Sequence, residues 1–247
     1  MTIALALLAA LTAPAPAAYA VETQAQSRAI DPARAERAQK LATILNSEAN
    51  IVGDDKSDEA ALAFMDQFVE ASPELTELEK DMPGLMLALG REILPIVNRS
   101  MRERLGELHR RQAALYVAIF TPSELDVLIQ FYSSPTGTKL ISVLMAKVKP
   151  TAMIAEAAKS EEFKFGEQAV LKDIRATLPD VLRSMTKEDQ IVLMRFAQTS
   201  AGPKIRAIAP QTQKIAIDWM NEEAPWEAAA IDEAVARVMA RFEGKKE

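Results

Sequence analysis

Few residues of this chain could do chemistry. His109 is the single histidine, set in Leu108-His109-Arg110-Arg111 on a strongly charged helical stretch, and it reads as a helix-surface residue. Without a second histidine, a histidine-rich metal site is impossible. There is no cysteine, which excludes disulfides, a thiolate nucleophile, Cys-ligated zinc and a lipid-modified cysteine. Asp54, Asp55, Asp58 and Glu59 cluster, but without the spacing and glycine of a calcium loop, so they read as a solvated turn. Met82 and Met86 stand one helical turn apart. A soft copper site would use such a pair, although methionine at this spacing ordinarily fills a core. A serine-hydrolase elbow, a phosphate-binding glycine loop and a His-Glu-x-x-His helix are all missing. No catalytic residue, cofactor or metal ligand is assigned.

The informative pattern is a repetition. Phe120 to Leu140 returns without gaps as Met185 to Ile205. Thr121/Thr186, Val127/Val192, Leu128/Leu193, Phe131/Phe196, Gly137/Gly202 and Lys139/Lys204 are identical pairs. Thr121, Pro122 and Glu124 spell a helix start: an N-cap hydroxyl, a proline in the first turn, and a carboxylate three residues after the cap. Phe120 and Leu125 form the matching hydrophobic staple. Thr186 and Asp189 repeat cap and carboxylate, but Gln190 replaces the staple leucine, so the second start is weaker.

Leu125, Leu128, Ile129 and Tyr132 then fall on one helical face beside Phe131. Burying the ring of Phe131 or Phe196 is worth about 2 kcal/mol. Ser134 cannot easily stay helical ahead of Pro135, so it caps a second helix that Pro135 opens. Gly137, in that helix's first turn, lets the two helices approach closely. Thr199 and Gly202 take the same parts in the second copy, unless Pro203 moves the cap to Ser200. Lys139 and Lys204 read as solvated or paired with a nearby carboxylate; contact with an anion or a partner is the alternative.

Around these windows the spacing predicts more helices. Ala33–Ser47 carries an apolar face of Ala35, Ala38, Leu41, Ala42 and Leu45, and ends at a polar loop around Gly53. Asp58–Ala71 follows, with a fresh start at Ser72-Pro73 and a break at Met82-Pro83-Gly84. A long helix runs from Arg91 to about Ile119, with Pro95 near its start and Leu105, Leu108, Leu115 and Ile119 among its inward residues. Glu162–Leu182, kinked or split at Pro179, and Glu227–Phe242 complete the set. Trp219 and Trp226 flank an acidic proline segment and lock the last helix to the body; a peptide or lipid groove lined by them is the sharper alternative.

Composition agrees. The chain has 247 residues, 49% of them hydrophobic, and no alternating β-branched clusters that would supply a sheet. The expected fold is all-α: a helical bundle containing two related helical-hairpin repeats. A net charge of −6 without a concentrated basic face argues against nucleic acid. Ile3 to Leu11 is apolar, Pro14 and Pro16 break the run, and Ala18-Tyr19-Ala20 is a small-x-small signature. This predicts a secretory signal peptide at 1–20, cut after Ala20, and hence a periplasmic or secreted protein. No later segment is long and uncharged enough to cross a membrane. A mobile lead-in (21–32), an N-terminal helical extension (33–90), the first repeat (91–160) and the divergent second repeat with the last helix (161–247) follow.

The string Glu124-Leu125-x-x-Leu128-x-x-Phe131-Tyr132-x-Ser134-Pro135-x-Gly137-x-Lys139, after a long amphipathic helix and behind a signal peptide, resembles a bacterial envelope family. That family is catalogued as domain of unknown function number twenty fifty-nine. The resemblance covers about Arg91 to Val148, and the Ala33–Leu45 helix resembles the family's N-terminal helix. Ala197 and Ser200 depart from the pattern where it has Tyr and Pro. The resemblance implies a helical, non-cytoplasmic protein and supplies no catalytic residues. Three functions stay open: a non-enzymatic envelope protein acting through a protein partner, a binder of lipid or another apolar ligand, and a hydrolase using carboxylates that meet only in the fold.

Overall fold

A computed structural model describes residues 31–52, 58–59, 61–62, 65–157 and 164–244. The expected signal segment, nearly all of the expected lead-in and the loop at Gly53 lie outside them. Every regular element among the described residues is a helix, with no strand. The elements are α1 (Pro32–Leu45), α2 (Glu48–Ile51), α3 (Met65–Ala71), α4 (Pro73–Asp81), α5 (Leu85–Ile119), α6 (Pro122–Tyr132) and α7 (Pro135–Lys147). Then come α8 (Thr151–Ala157), α9 (Glu167–Ser184), α10 (Lys187–Ala197), α11 (Ala201–Ala207), α12 (Ala209–Met220) and α13 (Glu227–Glu243).

The spine is α5, 35 residues and about 52 Å long. It begins six residues earlier than the spacing predicts. Gly84 adopts φ 84° ahead of it, and the Glu79 carboxylate accepts the Gly84 and Met86 N–H groups, satisfying its first turn. Pro95 therefore lies inside α5, as Pro179 lies inside α9, and neither splits its helix. Both prolines are on exposed faces of their helices.

The main core draws Leu41 and Leu45 from α1, Tyr116 from α5, Leu128 and Phe131 from α6, and Leu144 from α7. Ile174 and Val181 of α9, Phe196 of α10 and Ile205 of α11 complete it. Helix α1 lies across α5 and α6. A second cluster gathers Leu105, Leu108 and Ile51 around the fully buried Trp219, and a third packs Met82, Leu85 and Val238.

The two windows pack against each other. Helix α5, which leads into the α6–α7 hairpin, packs on α12; helix α9, which leads into α10 and α11, packs on α7. Helix α6 meets α11, and α10 meets α7.

The buried stripe of α5 differs from the one expected. Positions 98, 105, 108, 109, 112 and 116 face inward, so Asn98, His109 and Gln112 are buried while Leu115 is half-buried. His109, expected at the surface, donates from Nε2 to the Asn46 carbonyl at 2.7 Å. Asn46 Nδ2 in turn donates to Gln112 Oε1 at 2.6 Å, and the Tyr116 hydroxyl to the same oxygen at 3.2 Å. These bonds make the burial tolerable.

Candidate functional site

The residues singled out in the sequence meet at the crossing of the two hairpins. Thr121 Oγ1 accepts the Glu124 N–H at 3.3 Å, and the Glu124 carboxylate accepts the Thr121 N–H at 2.9 Å. Thr186 and Asp189 make the same box at 3.2 and 3.0 Å. Pro122 occupies the first turn of α6. Phe120 and Leu125 are both fully buried, whereas Gln190 is exposed and reaches back to the Met185 carbonyl.

Next, each hairpin turns on a hydroxyl. Ser134 Oγ donates to the Phe131 carbonyl and accepts the Gly137 N–H at 3.1 Å, with Pro135 following the cap. Thr199 does both for Phe196 and Gly202, while Ser200 makes no side-chain cap. The cap thus stays on Thr199, because Pro203 fits the first turn without moving it. At Gly137 and Gly202 the preceding helix is so close that a Cβ would strike backbone: 2.8 Å from Tyr132 Cα and 2.6 Å from the Phe196 carbonyl oxygen.

The lysines then cross over. Lys139 Nζ donates to the Asp189 carboxylate at 2.6 Å, and Lys204 Nζ to the Glu124 carboxylate at 2.9 Å. Each hairpin's lysine therefore answers the carboxylate that caps the other hairpin. Thr136 Oγ1 adds a bond to Asp189 at 2.8 Å. Lys139, the Thr186 N–H and Thr136 hold the Asp189 carboxyl far below the usual carboxylate range. At Glu124 burial pushes the pKa up, but Lys204 and the Thr121 N–H outweigh it, and the net direction is down. Between the two braces the rings of Phe131 and Phe196 stack, and Tyr132 meets Phe196 edge-on with centroids 6.0 Å apart. Burial raises the Tyr132 phenol pKa. Chemically this is a closed crossing whose acids and ammoniums neutralise one another.

The tryptophans act as clamps. Trp219 Nε1 donates to the Arg104 carbonyl at 3.1 Å, under the Arg104 guanidinium. Trp226 Nε1 donates to Glu103 at 2.9 Å, with Arg99 stacked 4.4 Å from its ring centre. Glu227, at the start of α13, is buried and accepts from Ser100 Oγ and from the Ala224 N–H. Met82 and Met86 are buried. Among the described residues, no group of three or more His, Asp or Glu could hold a metal ion, and no helix is long and apolar enough to cross a membrane.

One open feature escaped the sequence reading. A cleft of about 440 Å³ lies between α8 and α9, with Lys147, Lys149 and Lys172 at its edge and Ala152, Ala155 and Ala176 among its lining. Lys147-x-Lys149 is visible as a short basic pair, but Lys172 belongs to another helix and only the fold brings it there.

Residues 106–159 match a family described as an uncharacterized protein conserved in bacteria (DUF2059), the family that the Glu124–Lys139 string resembles. The match takes in the last 14 residues of α5, the α6–α7 hairpin and α8; Asp189, Phe196 and Lys204 lie outside it. No curated protein and no solved structure matches the chain.

Proposed function

We propose that this chain is a non-enzymatic helical module of the bacterial cell envelope that works by holding a partner. The crossing carries this reading. The most distinctive polar residues of the family-like segment, Glu124 and Lys139, are engaged by Lys204 and Asp189 of the other hairpin. They build a rigid body and are not aimed at a substrate. The apolar stretch Ile3–Leu11 with Ala18-Tyr19-Ala20 behind it supports export. A lipid-tail binder would present an apolar cavity, and the cleft between α8 and α9 has a lysine rim.

Cell fractionation tests both halves. The mature chain is expected in the envelope fraction with Val21 as its first residue, and crosslinking there traps it in a larger complex. Recovery of the uncut chain in the cytoplasm overturns the localisation. Substrate turnover by the purified chain, with no crosslinked complex, overturns the binding role.

A further inference from the structure

We propose that the cleft between α8 and α9 binds the phosphate-ester group of an anionic ligand through Lys147, Lys149 and Lys172. These ammoniums come from three places: the last turn of α7, the segment before α8, and the second turn of α9. All three are exposed at the edge of the same cleft.

Two acids, Asp173 and Asp180, also line the cleft, and both are already engaged. Asp173 is buried and accepts the Ala152 and Met153 N–H groups, both at 2.9 Å. Asp180 pairs with Arg183. Among the described residues no carboxylate forms an ion pair with any of the three lysines, so three ammoniums stand with two carboxylates around the cleft, in a chain of net charge −6.

Solvation alone accounts for a single surface lysine. The carbonyls ending α7 favour a cation at Lys147, but they do not explain why Lys149 and Lys172 converge on the same opening. The lining is small, with Ala152, Ala155, Ala176 and Thr151, and the volume falls in the range of small-molecule sites. Ammoniums act as point charges towards phosphate, whereas a lone carboxylate would leave two of the three unanswered.

The phosphate ester could belong to an anionic phospholipid headgroup or to a soluble molecule, and two probes separate these sources. Full-length mature chain is sedimented with phosphatidylcholine vesicles, with and without phosphatidylglycerol. In parallel it is titrated with glycerol 3-phosphate by calorimetry. K147Q/K149Q/K172Q is compared with K40Q/K187Q/R195Q, which removes the same charge at exposed positions elsewhere. Binding in either arm, weakened at least about tenfold in the first variant and kept in the second, supports the proposal and identifies the source. Binding in neither arm, an unchanged first variant, or equal loss in both variants overturns it.

Discussion

The rings of Phe131 and Phe196 lie parallel, with centroids 3.8 Å apart and planes 7° apart. They hold equivalent places in the two hairpins, ten residues after the capping threonine in each, and both are buried. Removing either ring opens the crossing: F131A or F196A is expected to cost roughly 3–5 kcal/mol. Because each ring is the other's neighbour, the double variant costs less than the sum of the singles, with a coupling of about 0.5–1.5 kcal/mol. Urea unfolding of the four proteins measures the cycle. Strict additivity would mean that the rings do not touch.

The two braces are unequal. The Glu124 side chain is 8% exposed and that of Asp189 13%. Removing Lys204 strands the more enclosed carboxylate, so K204Q should cost about 1–3 kcal/mol and more than K139Q. Chemical denaturation ranks them; the reverse order contradicts the assignment.

Acid should weaken the crossing, and the sign follows from the direction of the shifts. Asp189 and Glu124 are both held below their ordinary values in the folded chain. Their contribution is therefore complete above the unfolded carboxylate pKa, about 4. It is lost as pH falls from there through the folded values. Thermal melts from neutral to acid pH should show this decline, and D189N should flatten it. An unchanged slope in D189N would remove Asp189 from the account.

At the hairpin turns the prediction is steric. G137A places a methyl group against the Phe131 and Tyr132 backbone, and G202A against that of Phe196 and Ala197. Backbone cannot swing aside as a side-chain tip can, so each variant loses about 3 kcal/mol or more, or fails to fold. G106A is the control: among the described residues a Cβ there meets the Arg110 side chain, at 3.8 Å, and it should be neutral or stabilising. Expression level and melting temperature separate the three.

Local grammar made much of the architecture legible. Cap, proline and carboxylate at Thr121-Pro122-x-Glu124 mark a helix start whatever surrounds them, and the all-α class follows from composition and spacing. Tertiary pairing is another matter. Lys139 and Lys204 can be read as candidates for a carboxylate partner, but nothing local says that the partner belongs to the opposite hairpin. His109 and Gln112 are polar letters on a charged helix; their burial is decided by the Asn46 groups that α1 delivers. Pro179 looks like a break, yet it sits on an exposed face of an unbroken helix. Lys172 stands too far along the chain from Lys149 for the cleft to show in a linear reading.

The crossed lysines also bear on how the chain is made. Glu124 waits for a cation 80 residues downstream, and Asp189 reaches back 50 residues to Lys139. During synthesis the earlier hairpin emerges with an unanswered acid and an unshielded phenylalanine, and stays so until the later one arrives. Completion of the crossing is thus postponed until Asp189 and Lys204, both encoded in the last quarter of the chain, have been made.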